Sequence, residues 1–344
     1  MPATVSVIVP TRDRAELLAD ALRSVAMQLA DGIDSAEAVV VNDGGGDIAA
    51  ALPLGVPGLT VRVLSHPRPR GQAAARNAGL EIASGRFVAF LDDDDLYLPG
   101  HLARAIAALE VSGADVVYAD CVPVERRCPP GETPETAANG YDFPYDPGAI
   151  AVANFVPTSA VVCRNPAVHG PASWFRFDPE LPVLVDWALW LRLIHDRGWC
   201  FARCPKPGVA FHRATEDTTV TGRTEAHLDA LGRYEDAYRT VIARWPVTPG
   251  SRVARFRALF LETFRTARTL LATGRSLVPF AYEGALRVLY DGYTGRLDEA
   301  LVAPRAAAAL SGDAEHTAPT TLTPLNLAPV DLDPATPREP LGRP

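Results

Sequence analysis

The sequence has few cysteines, no excess of positive charge and no apolar run long enough to cross a membrane. Its five cysteines form no dense framework, so we expect reduced thiols in a cytoplasmic protein. The net charge of −8 excludes a general nucleic-acid binder, because such proteins need a basic surface to neutralise phosphates. The longest uncharged stretch, Pro147–Cys163, contains Asn154 and Pro157 and is too short for a membrane span.

The sequence also lacks the pattern of a secretory signal and the spacing of a standard zinc site. Met1–Thr4 carries no basic side chain, and the apolar run Val5–Val9 is too short for the core of a signal peptide. Four potential zinc ligands are His195, Cys200, Cys204 and His212. Their spacing matches no known zinc pattern, and buried free thiols are the commoner case.

Short β-branched runs alternate with helical patterns over the first third of the chain, which is typical of a parallel α/β sheet. The runs predict strands at Val5–Val9, Ala38–Val41, Val61–Leu64, Phe87–Leu91 and Asp115–Tyr118. Apolar residues at helical spacing predict helices at Glu16–Gln28, Gly71–Ala83 and Pro99–Val111. We therefore expect an α/β fold with a Rossmann-like, mostly parallel sheet flanked by helices.

The periodicity breaks down between Val122 and Pro147, which predicts a mobile loop near a binding site or an inserted segment. Regular structure resumes at Val156–Val162 and in a helix at Asp186–Asp196. Together these patterns predict three regions: a sheet domain over 1–222, a helical C-terminal region over 223–303, and a proline-rich, disordered tail over 304–344.

Polar clusters follow three of the predicted strands, at Thr11–Arg14, Asn42–Asp47 and Asp92–Asp95. Ligands of open parallel sheets bind outside the carboxyl ends of the strands, where all three clusters fall. Turns also favour aspartate and glycine, so each cluster alone has a structural explanation. Their coincidence favours a binding site.

Four consecutive aspartates at the end of an apolar strand repel one another unless a cation compensates. Oxygen ligands select Mg²⁺ or Mn²⁺, which bind one or two carboxylates together with substrate phosphates. Strand-like alternation would direct Asp92 and Asp94 to one side and Asp93 and Asp95 to the other. The alternative is a solvated acidic turn in which Asp95 caps the next helix. The chain has no Walker A or G-x-G-x-x-G sequence, so it has no glycine-rich loop of the kind that binds phosphates. A metal bound by the aspartates must therefore hold the diphosphate of the substrate.

Four segments in order, VSVIVPTRDR, VVVNDGGGD, GQAAARNAGLEIASGRFVAFLDDDD and LVDWALWLRL, resemble the family 2 glycosyltransferases with the GT-A fold. The likeness covers roughly residues 4 to 215. It implies inverting transfer from a nucleotide-diphosphate sugar, most often a UDP-sugar, to a hydroxyl-bearing acceptor, with Mn²⁺ or Mg²⁺. It does not identify the sugar or the acceptor.

The resemblance also implies roles for individual residues. Donor-binding positions are Pro10, Thr11, Asp13, Asp43, Arg76, Asp92 and Asp93. Asp94 and His212 match metal-binding positions, and Asp186 matches the general base. Two positions depart from the family pattern: Asn42 stands where an aspartate is common, and Val185 replaces one member of an acidic pair.

Several alternatives remain at this stage. Asp186 also suits the N-cap of an apolar helix. Trp187 and Trp190 suit either sugar stacking or the core. The basic amphipathic segment Ser251–Leu271 suits peripheral contact with an anionic membrane or ordinary packing. Two other functions are a sugar-nucleotide nucleotidyltransferase and a non-catalytic nucleotide-sugar binding module.

Overall fold

A mixed sheet forms the centre of the structure, which is a computed structural model describing residues 4–124, 127–132, 134, 140–169, 174–212, 228–278 and 280–311. Its strands in the described residues are β1 (Val5–Thr11), β2 (Ala36–Asp43), β3 (Leu59–His66), β4 (Phe87–Phe90), β5 (Leu96–Tyr97), β6 (Val116–Val124), β7 (Val161–Arg164) and β8 (Phe201–His212).

The strand order is β3-β2-β1-β4-β7-β6-β8-β5. Strands β3, β2, β1 and β4 run parallel, and β7 lies antiparallel between β4 and β6. The predicted mostly parallel sheet is therefore confirmed. Strands β5 and β8 were not predicted, because β5 has only two residues and prolines at 205 and 207 interrupt the alternation of β8.

Six helices in the described part of the first 212 residues flank the sheet or connect its strands. They are α1 (Ala15–Met27), α2 (Gln72–Ile82), α3 (His101–Ser112), α4 (Pro147–Val152), α5 (Pro166–His169) and α6 (Val185–Arg197). Helix α2 packs on β1 and β2, and α3 packs on β6 and β8. The regular structure expected at Val156–Val162 consists of a short 3-10 turn at Thr158–Ala160 followed by β7.

The C-terminal region contains α7 (Leu228–Arg244), α8 (Arg252–Ala272), α9 (Ala281–Tyr293) and α10 (Glu299–Ser311). The predicted boundary at residue 304 is wrong, because α10 continues through Pro304 to Ser311. Its Val302 and Leu310 are buried, and its alanines favour the helix against the local cost of the proline. The rest of the predicted disordered tail, from residue 312 on, lies outside the described residues.

Helix α8 is the basic amphipathic segment, and its apolar face packs into the protein. Phe256, Phe260 and Phe264 are buried, and the guanidinium of buried Arg257 donates to the carbonyls of Ala151 and Trp245. Its exposed arginines form ion pairs, namely Arg255–Glu299, Arg265–Glu262 and Arg268–Glu235. The apolar face is therefore packed, as one of the two interpretations expected, and peripheral contact with a membrane stays a prediction. No helix in the described ranges is long and apolar enough to span a bilayer.

Trp187 and Trp190 are core residues, so the alternative that they stack on a sugar is wrong. Both side chains are fully buried in α6. Their indole N–H groups donate to the carbonyls of Ile150 and Val156, which satisfies the polar end of each ring. Tyr238 of α7 stacks on Trp187 with a centroid distance of 5.1 Å. Trp187 therefore joins α6 to the C-terminal helix α7.

Two helix-interior glycines make the packing of α2 testable. A Cβ at Gly79 would lie 2.6 Å from Cγ2 of buried Ile8, whereas a Cβ at Gly232 in α7 meets no atom of the described structure within 4 Å. We expect Gly79→Ala to lower the free energy of unfolding by about 1–3 kcal/mol through overpacking. Gly232→Ala should raise it by about 0.5–1 kcal/mol through helix propensity. Urea unfolding of both variants measures this, and a gain for both would contradict the close contact of α2 with β1.

Candidate active site

The aspartate run Asp92–Asp95 forms a turn directly after β4, closed by a 3.0 Å hydrogen bond from the Asp95 N–H to the Asp92 carbonyl. Burial alternates along it: Asp93 and Asp95 are buried, whereas Asp92 and Asp94 are partly exposed. This is the division expected from the sequence. The two partly exposed carboxylates are the ones available to a ligand at the carboxyl edge of the sheet.

Arg14 is the counter-ion of this turn and was given no role from the sequence. Its guanidinium lies 3.0 Å from a carboxylate oxygen of Asp93 and 3.0 Å from one of Asp94. Thr11 Oγ1 donates to the other oxygen of Asp93 at 2.7 Å. Burial raises the pKa of Asp93 despite these contacts. Burial and the charges of Asp93 and Asp92 raise the pKa of Asp94 to about 7.

Asp95 has a structural role and is neither solvated nor a helix cap, so that alternative is wrong. Its side chain is 1% exposed. One carboxylate oxygen accepts from Ser159 Oγ at 2.6 Å, and the other accepts from the backbone N–H of His212 at 3.0 Å. Ser159 Oγ also accepts from the Asp92 N–H. Asp95 therefore attaches the acidic turn to the segment before β7 and to the end of β8.

Arg76 of α2 approaches the acidic turn from the other side. Its side chain is 2% exposed, and its guanidinium donates to a carboxylate oxygen of Asp92. The ring of Phe177 lies 5.3 Å from its Cζ. The resemblance implied that Arg76 lies beside the donor. In the structure its side chain contacts Asp92, one of the two accessible aspartates. A buried guanidinium so placed can bind a second anion without a large loss of hydration.

Asn77, the next residue, was missed from the sequence. Its amide donates to the Phe177 carbonyl and accepts from the Phe177 N–H, both at 2.8 Å. This pair of hydrogen bonds fixes the segment that leads to α6. Asn154, Thr158 and Ser159 were missed as well, because no local motif marks them and only the fold brings them to the site.

Asp43 at the end of β2 is saturated with hydrogen bonds. It accepts from His66 Nδ1 at 2.7 Å, from the Arg70 N–H at 2.9 Å and from the Gly71 N–H at 2.8 Å. Burial would raise its pKa, but these donors outweigh burial and hold the pKa below its ordinary value. In this structure Asp43 fixes the loop before α2, and its predicted contact with a nucleobase stays a prediction.

The loop after β1 joins the first two polar clusters. Pro10 and Thr11 are the last residues of β1, paired with Val41 and Asn42 of β2. Asp13 adopts a left-handed conformation with φ of 55°, and its carboxylate accepts from the Gly46 N–H at 2.9 Å. The predicted donor positions of the first two clusters therefore share one edge of the sheet with Asp92 and Asp93.

Asp186 lies in the first turn of α6, but it is not the N-cap, so that alternative is wrong. The N-cap is Leu184, which is left-handed with φ of 60°. One oxygen of Asp186 accepts from the Trp187 N–H at 2.8 Å, and the other accepts from Asn154 at 2.9 Å and Thr158 at 3.2 Å. Burial raises its pKa, which the positive charge of Arg76 partly opposes.

A histidine binds a metal through the lone pair of a ring nitrogen, but the accepting nitrogen of His212 is already engaged in a hydrogen bond. Its Nε2 accepts from the Cys128 N–H at 2.9 Å, so in the neutral ring the proton resides on Nδ1. Burial lowers the pKa of His212 and favours this neutral form. Its predicted metal role would require the contact with Cys128 to break.

A divalent cation fits the acidic turn on the chemistry of its donors. Asp92 and Asp94 offer accessible carboxylate oxygens, and the crowding that raises the pKa of Asp94 would be relieved by a cation. Within the described ranges no group of three or more His, Cys, Asp or Glu side chains is placed to hold a metal. The remaining ligands would therefore have to come from a substrate and water, as is usual for Mg²⁺.

The chain is similar to known glycosyltransferases. The model of glycosyl transferase family 2 matches residues 6–166. The succinoglycan biosynthesis protein ExoO of Rhizobium meliloti is 27% identical over 98% of this chain and 94% of its own. The uncharacterised glycosyltransferase YwdF of Bacillus subtilis is 28% identical over 66% of this chain and 82% of its own.

Among solved structures, the chain is similar to the mannosyltransferase PcManGT of Pyrobaculum calidifontis, determined with GDP-Man and Mn²⁺. The TM-score is 0.54 at 18% identity, covering 90% of this chain and 86% of that one. The likeness confirms the predicted GT-A fold.

The crowding of carboxylates predicts a pH-dependent stability in metal-free protein. The pKa of Asp94 is about 7 in the fold against 3.8 for an ordinary aspartate, so its ionisation lowers stability as the pH rises between these values. We expect Asp94→Asn to exceed wild type in unfolding free energy at pH 8, by up to about 4 kcal/mol. The gap should close as the pH falls to about 4.

Thermal unfolding across this pH range, in the presence of a chelator, measures the effect. Asp34→Asn is the matched control, because Asp34 is an exposed aspartate ahead of β2 at the opposite edge of the sheet. A gap that does not vary with pH would show that Asp94 is ionised throughout.

Proposed function

We infer that the chain belongs to glycosyl transferase family 2 and is a glycosyltransferase that uses a nucleotide sugar, and on this premise we propose an inverting, metal-assisted transfer with Asp186 as the general base. The observation that carries the proposal is the position of Arg76. Its guanidinium contacts Asp92 of the acidic turn, and its charge acts on Asp186. Asp92 of the acidic turn and the candidate base are therefore both within electrostatic reach of one buried cation.

The donor would lie across the carboxyl edge of β1, β2 and β4. Its nucleoside would occupy the loop of Thr11 and Asp13, and its diphosphate would lie at Asp92 and Asp94. A divalent cation held there by Asp94 and Asp92 would neutralise the charge that develops on the leaving diphosphate. Arg76 and Arg14 are the side chains that can add positive charge at the same place.

Asp186 would take the proton of the acceptor hydroxyl. As the acceptor oxygen forms its bond to the anomeric carbon, the bond from that carbon to the diphosphate oxygen breaks, and the nucleoside diphosphate leaves with the electron pair. Attack from the face opposite the leaving group inverts the configuration. Burial raises the pKa of Asp186, which makes it a stronger base than an exposed aspartate. Hydrogen bonds from Asn154 and Thr158 hold the carboxylate in place.

A UDP-sugar is the favoured donor, and a saccharide is the favoured acceptor. One relative, 29% identical over 33% of this chain, is named as a UDP-Glc-dependent β-1,3-glucosyltransferase, WfgD of Escherichia coli. ExoO, which matches nearly the whole chain, is named for succinoglycan biosynthesis. These names support a role in polysaccharide biosynthesis. A nucleotidyltransferase and a non-catalytic binding module, the two other functions considered from the sequence, do not agree with the family.

Nucleotide binding tests the donor site. Calorimetric titration with UDP, GDP and dTDP, with and without Mn²⁺, should show one nucleotide that binds at least tenfold more tightly with the metal. Asp94→Ala should abolish that gain, because it removes a carboxylate ligand. Asp34→Ala, at the opposite edge of the sheet, should retain it. Equal binding with and without Mn²⁺ in the wild type would refute the metal-assisted site.

Turnover tests the base. With the donor thus identified, Asp186→Asn should lower the rate of nucleoside diphosphate release by about 10²–10⁴-fold, because the acceptor or water loses its proton acceptor. Nucleotide affinity should not change. Asp196→Asn is the matched control, since Asp196 lies at the other end of α6, where its carboxylate accepts a hydrogen bond from Trp245. Wild-type turnover in Asp186→Asn would disprove the assignment.

A further inference from the structure

Both accessible carboxylates of the acidic turn are paired with a guanidinium, but the two guanidiniums differ in exposure. Arg76, which pairs with Asp92, is 2% exposed and is held in place by its burial. Arg14, which pairs with Asp94, has a side chain that is 28% exposed. Of these two cations, Arg14 is therefore the one that can change its partner without unpacking the core.

The contact between Arg14 and Asp94 is also of a weaker type than an ion pair elsewhere in the chain. Nη1 of Arg14 donates to Oδ2 of Asp94, and the same nitrogen donates to Oδ1 of Asp93. In the pair of Arg203 with Asp120, by contrast, two nitrogens bind two oxygens at 2.6 and 2.8 Å. A bidentate pair of that kind is stronger and fixes the geometry more tightly. The contact with Asp94 is thus the easier one to exchange.

Asp93 would keep Arg14 at the site if the contact with Asp94 were lost. The Asp93 side chain is 7% exposed, and its other oxygen accepts from Thr11 Oγ1 at 2.7 Å. A carboxylate so buried needs a positive partner, because little water is present to replace one. Arg14 can therefore turn from Asp94 towards a ligand of the acidic turn while its link to the sheet remains.

A divalent cation and Arg14 would compete for the same carboxylate. A cation bound by Asp92 and Asp94 would lie close to a guanidinium that is 3.0 Å from Asp94, and the two positive charges would repel each other. Binding of the metal therefore requires the contact between Arg14 and Asp94 to break. The diphosphate of a donor offers oxygens that a guanidinium binds through two parallel hydrogen bonds. The nucleotide thus supplies Arg14 with a new partner.

We propose that Arg14 competes with the divalent cation for Asp94 and passes to the donor diphosphate when metal and nucleotide bind, an inference that rests on the proposed function. Arg14 is then a positioning residue that neutralises the acidic turn before the donor arrives. It also makes binding of the metal depend on the nucleotide. A pair that stayed closed would act equally with and without the nucleotide, because its charge would be in the same place in both states.

Titration with Mn²⁺, followed by electron paramagnetic resonance of the free ion, tests the role of Arg14 without turnover. Each protein is titrated with Mn²⁺ alone and with Mn²⁺ plus UDP, or plus GDP or dTDP if calorimetry selects one of them, and the nucleotide without protein is the blank. In the wild type the Kd for Mn²⁺ should be lower with the nucleotide by about tenfold or more. Arg14→Gln should lower the Kd for Mn²⁺ alone by about fivefold or more, because a competing charge is removed. The ratio of the two Kd values should shrink by about the same factor.

Three further variants separate competition at Asp94 from a general effect of charge. Arg12→Gln is the matched control, since it removes the same charge from an exposed neighbour that pairs with Asp13 at 3.6 Å. Both of its Kd values should stay within about twofold of wild type, because solvent and salt screen an exposed charge. Arg14→Lys keeps the charge, so Mn²⁺ alone should bind it as weakly as it binds the wild type. Arg14→Met, with a stem of similar length, replaces the glutamine variant if that variant does not fold.

The two titrations also distinguish this inference from the donor proposal. If the nucleotide tightens Mn²⁺ binding equally in the wild type and in Arg14→Gln, the role of Arg14 is overturned and the donor proposal stands. The same holds if Arg12→Gln changes as much as Arg14→Gln. If the wild type binds Mn²⁺ equally with and without nucleotide, the metal-assisted donor proposal fails. Tighter binding of Mn²⁺ alone in Arg14→Gln would then still support competition for Asp94, and unchanged binding would overturn it.

Discussion

The ion pair between Arg76 and Asp92 is the interaction on which the arrangement of the site depends. A guanidinium that is 2% exposed has almost no water to solvate it, so an anionic partner is needed for the charge to remain there. Removing Asp92 would leave this buried charge without its partner, which is destabilising. Because Arg76 belongs to α2 and Asp92 to the turn after β4, the pair fixes the helix relative to the sheet edge.

The adjacent residue extends this constraint to the candidate base. Asn77 binds the backbone of Phe177 through two hydrogen bonds, and Phe177 lies in the segment that leads to Asp186.

Two of the non-glycine residues with positive φ in the described ranges, Asp13 and Leu184, lie next to the donor loop and the base. Such conformations cost about 1–3 kcal/mol and persist where surrounding contacts determine them. Asp13 has the Gly46 contact, and Leu184 precedes a helix that the buried tryptophans hold in the core.

The C-terminal helices pack against the elements that hold the candidate base. Helix α7 stacks on α6 through Tyr238 and Trp187, and Arg257 of α8 binds the carbonyl of Ala151 in α4. The family model ends at residue 166, whereas the likeness to ExoO extends over nearly the whole chain.

Local patterns in the sequence were sufficient to predict the parallel sheet, the acidic turn and the alternation of burial along it. Each of these depends on neighbours within a few residues, namely β-branched runs for the strands and a run of adjacent aspartates for the acidic turn. The tertiary structure alone decided the partners. Ser159 lies 64 residues from Asp95, and Asn154 lies 32 from Asp186. No periodicity encodes such contacts, because they depend on strand order and helix packing. The same holds for His212, whose ring nitrogen is engaged by the Cys128 backbone 84 residues away.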